Sequence, residues 1–182
     1  DLTNMVEDET HVPNGRFRYA LPESDFTAKA IVETLPASQD IFYRVRFQDL
    51  ASPTIFGEPA VGRFRTAPAD RRSISFVWSG DTAGQGWGID EARGGMRTYA
   101  TMLRNQPAFF IHCGAHIYAD CPSWPTHKLP NGEIWKSIVT EEKSRVAQTL
   151  HDFRGNYQYK LPDRKLLALS APVPMLAKWD GH

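Results

Sequence analysis

The chain has 182 residues, 41% hydrophobic and 23% charged, and its 21 basic and 21 acidic side chains leave no formal net charge. This length suits one large domain or two small ones, and the balanced charge lacks the electrostatic footprint of a nucleic-acid binder. No apolar run is long enough for a membrane span, no signal peptide is visible at a chain starting on Asp1, and Cys113 and Cys121 are too few for a disulfide framework.

In chain order, residues 1–11 are polar and acidic and read as a frayed lead-in. Asn14-Gly15 is a turn signal, and the run 16–20 that follows places Phe17 and Tyr19 on one face. Residues 26–32 read as a second strand-like run. In 41–47, Ile41, Tyr43, Val45 and Phe47 alternate with polar or basic positions such as Arg44 and Arg46, the period of a half-buried strand. Residues 60–65 repeat the pattern more weakly. Short strands at this spacing predict a small β-sandwich over residues 1–69, with a linker at 66–72. From Ser73 onward strands alternate with helices, which predicts α/β structure over 70–182.

Within that second part, residues 74–78, 108–111 and 173–179 are apolar runs of the kind that form strands buried on both faces. Met96, Tyr99, Ala100 and Leu103 recur at helical spacing, and Pro107 stops that helix. A long loop with Pro122, Pro125 and Pro130 follows. Thr140 reads as an N-cap with Glu141 and Glu142 in the first turn, and Val146, Leu150, Phe153 and Tyr157 as an apolar helical stripe. Asp163 reads as the cap of a short helix carrying Leu166, Leu167 and Leu169.

Each of the three α/β runs ends in polar groups. The first enters Ser79-Gly80-Asp81-Thr82, the second His112-Cys113-Gly114, and the third Asp180-Gly181-His182. Open α/β sheets bind their ligands beyond the carboxyl ends of their strands, so the three ends predict one site. His116, Tyr118 and Asp120 follow Gly114 closely and carry groups that bind metal or phosphate. His116 and Tyr118 flank Ile117, so an extended loop points them to one side. Asp81 reads either as an oxygen ligand for a hard cation or as a turn residue bonding its own backbone. Tyr118 reads as a phenolate ligand or as a core-edge residue with a satisfied hydroxyl. Cys113 reads as a thiolate ligand for a softer metal or as a small buried residue at a strand end. Trp124 and Trp135 form either an exposed recognition surface or a loop that shields the site, and the charges at 141–145 read as a solvated helix face.

The stretches 78–86 (Trp-Ser-Gly-Asp-Thr-Ala-Gly-Gln-Gly), 112–122 (His-Cys-Gly-Ala-His-Ile-Tyr-Ala-Asp-Cys-Pro) and 174–182 (Pro-Met-Leu-Ala-Lys-Trp-Asp-Gly-His) resemble, in order and spacing, the metal-binding motifs of the PhoD-type alkaline phosphatases and phosphodiesterases, a branch of the metallophosphoesterases. The resemblance implies a two-domain fold: a fibronectin-like β-sandwich, residues 1–69, ahead of the N-terminal half of an α/β metallophosphoesterase sandwich, residues 70–182. It implies hydrolysis of phosphate mono- and diesters with two metals, drawn from Ca, Fe or Mn. Asp81, Tyr118 and Asp180 are the implied metal ligands, and His182 and His116 the groups that contact substrate or move a proton. The family has Asp where this chain has Ala115 and Gly181, so both ligand positions are lost, and further ligands are expected beyond His182. Periplasmic or secreted localisation follows from the resemblance alone. The rival reading is a non-catalytic binding module derived from the same family.

Overall fold

The structure is a computed structural model, described for residues 19–52 and 54–181. The predicted lead-in, the Asn14-Gly15 turn, most of the run 16–20, and His182 lie outside the described residues. The chain divides into two compact units, residues 1–71 and 72–182.

In the first unit, β1 (Asp40–Val45) pairs antiparallel with β2 (Ala60–Arg65), from Asp40 opposite Arg65 to Val45 opposite Ala60. The alternating positions behave as the period demands at Ile41 and Tyr43, which are half-buried. Gly62 lets the end of the Tyr43 ring lie against bare backbone, since a Cβ there would clash with the Tyr43 Cζ and hydroxyl. Arg65 and Asp40 close the end of the pair with an ion pair at 3.1 Å. The run 26–32 is not a strand: it is irregular, with Phe26, Ile31 and Val32 exposed. Among the described residues this unit therefore holds one two-stranded sheet and an isolated bridge between Gln48 and Phe56, without a second sheet facing them.

The second unit is built on a parallel sheet of β3 (Val77–Ser79), β4 (Phe110–His112) and a late strand (Met175–Ala177), with β4 in the centre. Between β4 and the late strand, β5 (Thr126–Lys128) and β6 (Ile134–Lys136) form a hairpin through the Asn131-Gly132 turn, so the late strand is β7. The hairpin lies in the stretch read as loop. α1 (Arg97–Arg104) and α3 (Arg164–Ser170) pack on one side of the sheet. Their core joins Tyr99, Met102, Phe110, Leu166, Leu169 and Val173. Phe110 and Leu169 are each 1% exposed, and full burial of such a side chain contributes roughly 1.5–3 kcal/mol. The other face is not covered in the way a strand buried on both faces requires: Trp78, Ile111 and Leu176 lie side by side in register, and Trp78 and Leu176 are exposed.

Asp163 caps α3 as the sequence suggests, accepting from the backbone N–H of Lys165 and Leu166 at 2.9 and 3.0 Å, and it also holds the N–H of Met96 at 2.9 Å. The preceding helix departs from expectation. α2 (Leu150–Gln158) starts at Thr149, not Thr140, and residues 142–144 form only a 3-10 turn. Thr149 and Asp152 make a reciprocal capping box, which fixes the start of a helix more firmly than a lone Thr. The apolar stripe faces outward: Val146, Leu150, Phe153 and Tyr157 are exposed, while Asp152, Gly155 and Asn156 are buried. Lys143, expected on a solvated face, is 2% exposed, with its ammonium donating to the Tyr118 carbonyl at 3.1 Å.

Candidate functional site

Strand register assembles the predicted site. Ser79, His112 and Ala177 lie in one row across the sheet, so the segments after them leave its carboxyl edge together. The first two are then joined by backbone bonds: Cys113 N–H to Ser79 O at 2.7 Å, Asp81 N–H to Gly114 O at 3.2 Å, and Thr82 N–H to Ala115 O at 3.0 Å. Lys178 N–H donates to His112 O at 3.1 Å, which ties in the third. Asp81 and Ala115 both take positive φ, 58° and 50°, a conformation Asp tolerates better than Ala.

Three of the predicted ligands come together here. The Tyr118 hydroxyl donates a short hydrogen bond to Asp81 Oδ1. Asp180 lies over Gly114, where a Cβ would meet its Oδ2 at 2.6 Å, and Gly114 sits at φ 122°. The Asp81 hydrogen bond, then burial and the charges of Asp81, Asp180 and Asp120, push the Tyr118 phenol up to about 12. Tyr118 is buried, whereas Asp81, Asp120 and Asp180 are exposed. Gly84 passes flat against the Tyr118 ring, and no side chain fits between them.

Ala115, 4% exposed, stands among these groups with a methyl in place of an oxygen donor. Gly181 has open space around it, and its N–H donates to Asp180 Oδ1 at 2.8 Å. Among the described residues no three His, Cys, Asp or Glu side chains gather as a metal-ligand cluster. The donor chemistry of the implied ligands, the Asp81 and Asp180 carboxylates and the Tyr118 phenol oxygen, suits a hard cation. The methyl of Ala115 cannot offset the mutual repulsion of two cations as a shared carboxylate would.

His116 does not join the Asp81 group. Its Nδ1 and its carbonyl both face Lys160 Nζ, at 2.5 and 2.6 Å. Its ring lies against His112 with centroids 3.7 Å apart. Burial, then the charges of Lys160 and His112, pull the His116 imidazole down to about 4. Burial also lowers His112, helped by Lys160 and opposed by Asp81 and the Gly114 backbone. His112 Nε2 meets Thr82 Oγ1 at 2.9 Å, and Thr82 meets the Tyr99 hydroxyl at 3.0 Å. Lys160, 6% exposed, is lowered to about 8 by burial. This cluster of His112, Thr82, Tyr99 and Lys160 around His116 was not expected. His112 was visible as a strand-end residue; Lys160 lies 44 positions from His116, and no local pattern joins them.

The remaining expectations divide. Cys113 is exposed, not a buried strand-end residue, because the turn at Gly114 carries it outward; Cys113 and Cys121 are both free thiols. Trp124 is exposed, and the loop carrying it is fixed to the turn after Asp81. Its N–H donates to Gly86 O at 2.8 Å, Trp135 Nε1 donates to Gly88 O at 3.0 Å, and Trp87 stacks on His127 at 3.9 Å. A cleft bounded by Ile89, Ile138, Tyr159 and Asp163 contains none of the predicted site residues. No helix among the described residues is long and apolar enough to cross a membrane.

No curated protein matches the chain. A solved structure titled "Structure of PhoD" is similar over 78% of this chain, with a TM-score of 0.51 and 24% identity, which speaks to the fold. The chain spans 24% of the length of that protein. The family described as PhoD-like phosphatase, N-terminal domain, matches residues 5–68. The family described as PhoD-like phosphatase matches residues 76–182, more than half of the sequence, and the chain belongs to the PhoD-like phosphatase family.

Proposed function

We propose that this chain is a phosphate monoester and diester hydrolase of PhoD type whose two-metal centre is impaired at Ala115 and Gly181. The observation that carries the reading is the Tyr118 hydroxyl bonded to Asp81 at one strand end, with Asp180 delivered beside Gly114 by another. Asp81, Tyr118 and Asp180 would hold a cation, of calcium, manganese or iron. When bound, that cation supplies Lewis acidity toward a phosphoryl oxygen. To serve as a ligand the Tyr118 phenol would lose its proton to solvent, and its hydrogen bond to Asp81 would open. His116 contacts phosphoryl oxygens as a hydrogen-bond donor, and His182 does the same or supplies a proton to the leaving group. In this reading the β1–β2 pair belongs to a fibronectin-like sandwich and residues 70–182 to a metallophosphoesterase sandwich.

The test restores the lost carboxylates. Ala115→Asp and Gly181→Asp, introduced together into this sequence within a full-length family member, are expected to raise turnover of an aryl phosphate or aryl phosphodiester with Ca, Mn or Fe. Asp81→Asn in that background is expected to abolish the gain, because the amide keeps the shape and removes the charge. Equal turnover without the two substitutions would show that Ala115 is not at the bridging position.

A further inference from the structure

The geometry points to Lys160 as a positioning residue that fixes the tautomer of His116, leaving Nε2–H as the nitrogen offered to a tetrahedral oxyanion such as a phosphoryl group. The oxyanion part rests on the function proposed above; the tautomer part rests on the contacts alone. Lys160 Nζ is within 2.5 Å of His116 Nδ1 and 2.6 Å of His116 O, so one ammonium grips both the ring and the backbone of the same residue. An ammonium has three donors and no acceptor. Against it, Nδ1 must present its lone pair, and a neutral imidazole then carries its single proton on Nε2.

The ring is held from other directions too. His112 lies against it at 3.7 Å, and Lys160 in turn sits over the Tyr157 ring at 5.4 Å. His116 Nε2 is buried without a hydrogen-bond partner in the structure. An unpartnered buried donor is unfavourable, a penalty that an incoming acceptor relieves. Nε2–H suits an anionic oxygen, whereas the opposite tautomer would present a lone pair and repel it. Lys160 thus selects which of two chemically different faces His116 offers, without itself touching the ligand.

The experiment uses the 182-residue chain labelled with nitrogen-15. Two-bond proton–nitrogen correlation at pH 7 separates a nitrogen bearing a proton from one bearing a lone pair, and His116→Gln assigns the signals by their loss. The expected result is a lone-pair shift at His116 Nδ1 and a protonated shift at Nε2. In Lys160→Met both nitrogens are expected to move toward a shared intermediate value as the tautomers mix, while circular dichroism checks that the variant is folded. A protonated Nδ1 in the unsubstituted protein overturns the inference, whether or not the variant folds. So does a folded Lys160→Met protein whose His116 shifts do not move. Neither reading involves metal or turnover, so failure of the phosphatase proposal would leave this result standing, and the reverse also holds.

Discussion

At the scale of single residues, Ala115 and Gly84 set the limits of the site. Ala115 occupies a left-handed backbone at φ 50°, where Asp is the better-tolerated residue, so Ala115→Asp eases the backbone. Its carboxylate, however, enters a position that is 4% exposed, close to a segment that bonds the Asp81 turn. The variant without metal is expected to be less stable by roughly 1–3 kcal/mol, and to recover on adding Mn²⁺. Urea denaturation with and without the ion measures both; a loss that manganese leaves untouched would place Ala115 away from any cation. Gly84→Ala is expected to destabilise by about 1–3 kcal/mol through overpacking on the Tyr118 ring and to weaken cation binding in parallel, since the displaced phenol no longer reaches Asp81. Unchanged binding in calorimetry would separate Tyr118 from the metal. That Asp81, Tyr118 and Asp180 come together was legible in the sequence because each lies on a segment that follows an apolar run. Lys160 was not, because its role depends on a chain reversal that brings it to His116, and a lysine near a helix end ordinarily reads as solvated.

Among the elements, α2 shows where local pattern misleads. Val146, Leu150, Phe153 and Tyr157 have helical spacing, yet the buried face is Asp152, Gly155 and Asn156. Arg145 meets Asp152 at 2.7 Å, and the backbone N–H groups of Gln148 and Thr149 meet it at 3.1 and 3.0 Å. The Gln148 N–H, then Arg145 and the Thr149 hydroxyl, hold the Asp152 carboxyl well below the ordinary value of 3.8. A carboxyl lowered by folding contributes stability that is present above the unfolded value and lost as pH falls through the folded one. Asp152→Asn is therefore expected to be clearly less stable than the unsubstituted chain at pH 7, with the gap narrowing below pH about 4. Urea midpoints at pH 7 and pH 3 check this; a constant gap would mean that the charge of Asp152 contributes nothing. Periodicity finds that a helix exists, but a polar face buried through caps and ion pairs looks in sequence like the exposed one. The sheet was easier to read: its three runs are apolar, and parallel pairing places their polar ends in one row.

For the molecule as a whole, the first unit holds less strand structure among the described residues than its sequence predicts. Alternation at 41–47 did mark β1, but 26–32 stays irregular, since Phe26, Ile31 and Val32 meet no facing apolar layer among the described residues. Limited proteolysis is expected to cut first within 66–72, a polar connection with Pro68 between two differently patterned parts. Cutting within 41–47 while 66–72 stays intact would contradict a linker there. We propose that the three strand ends build a site for one cation and not for two. The most direct test is the metal content of the chain after equilibration with Ca, Mn or Fe and gel filtration, alongside Asp81→Asn. The account predicts about one equivalent or less, far below the two of a dinuclear centre, and loss of binding in Asp81→Asn. Two stoichiometric equivalents in the unsubstituted chain, or binding that Asp81→Asn leaves unchanged, would contradict it.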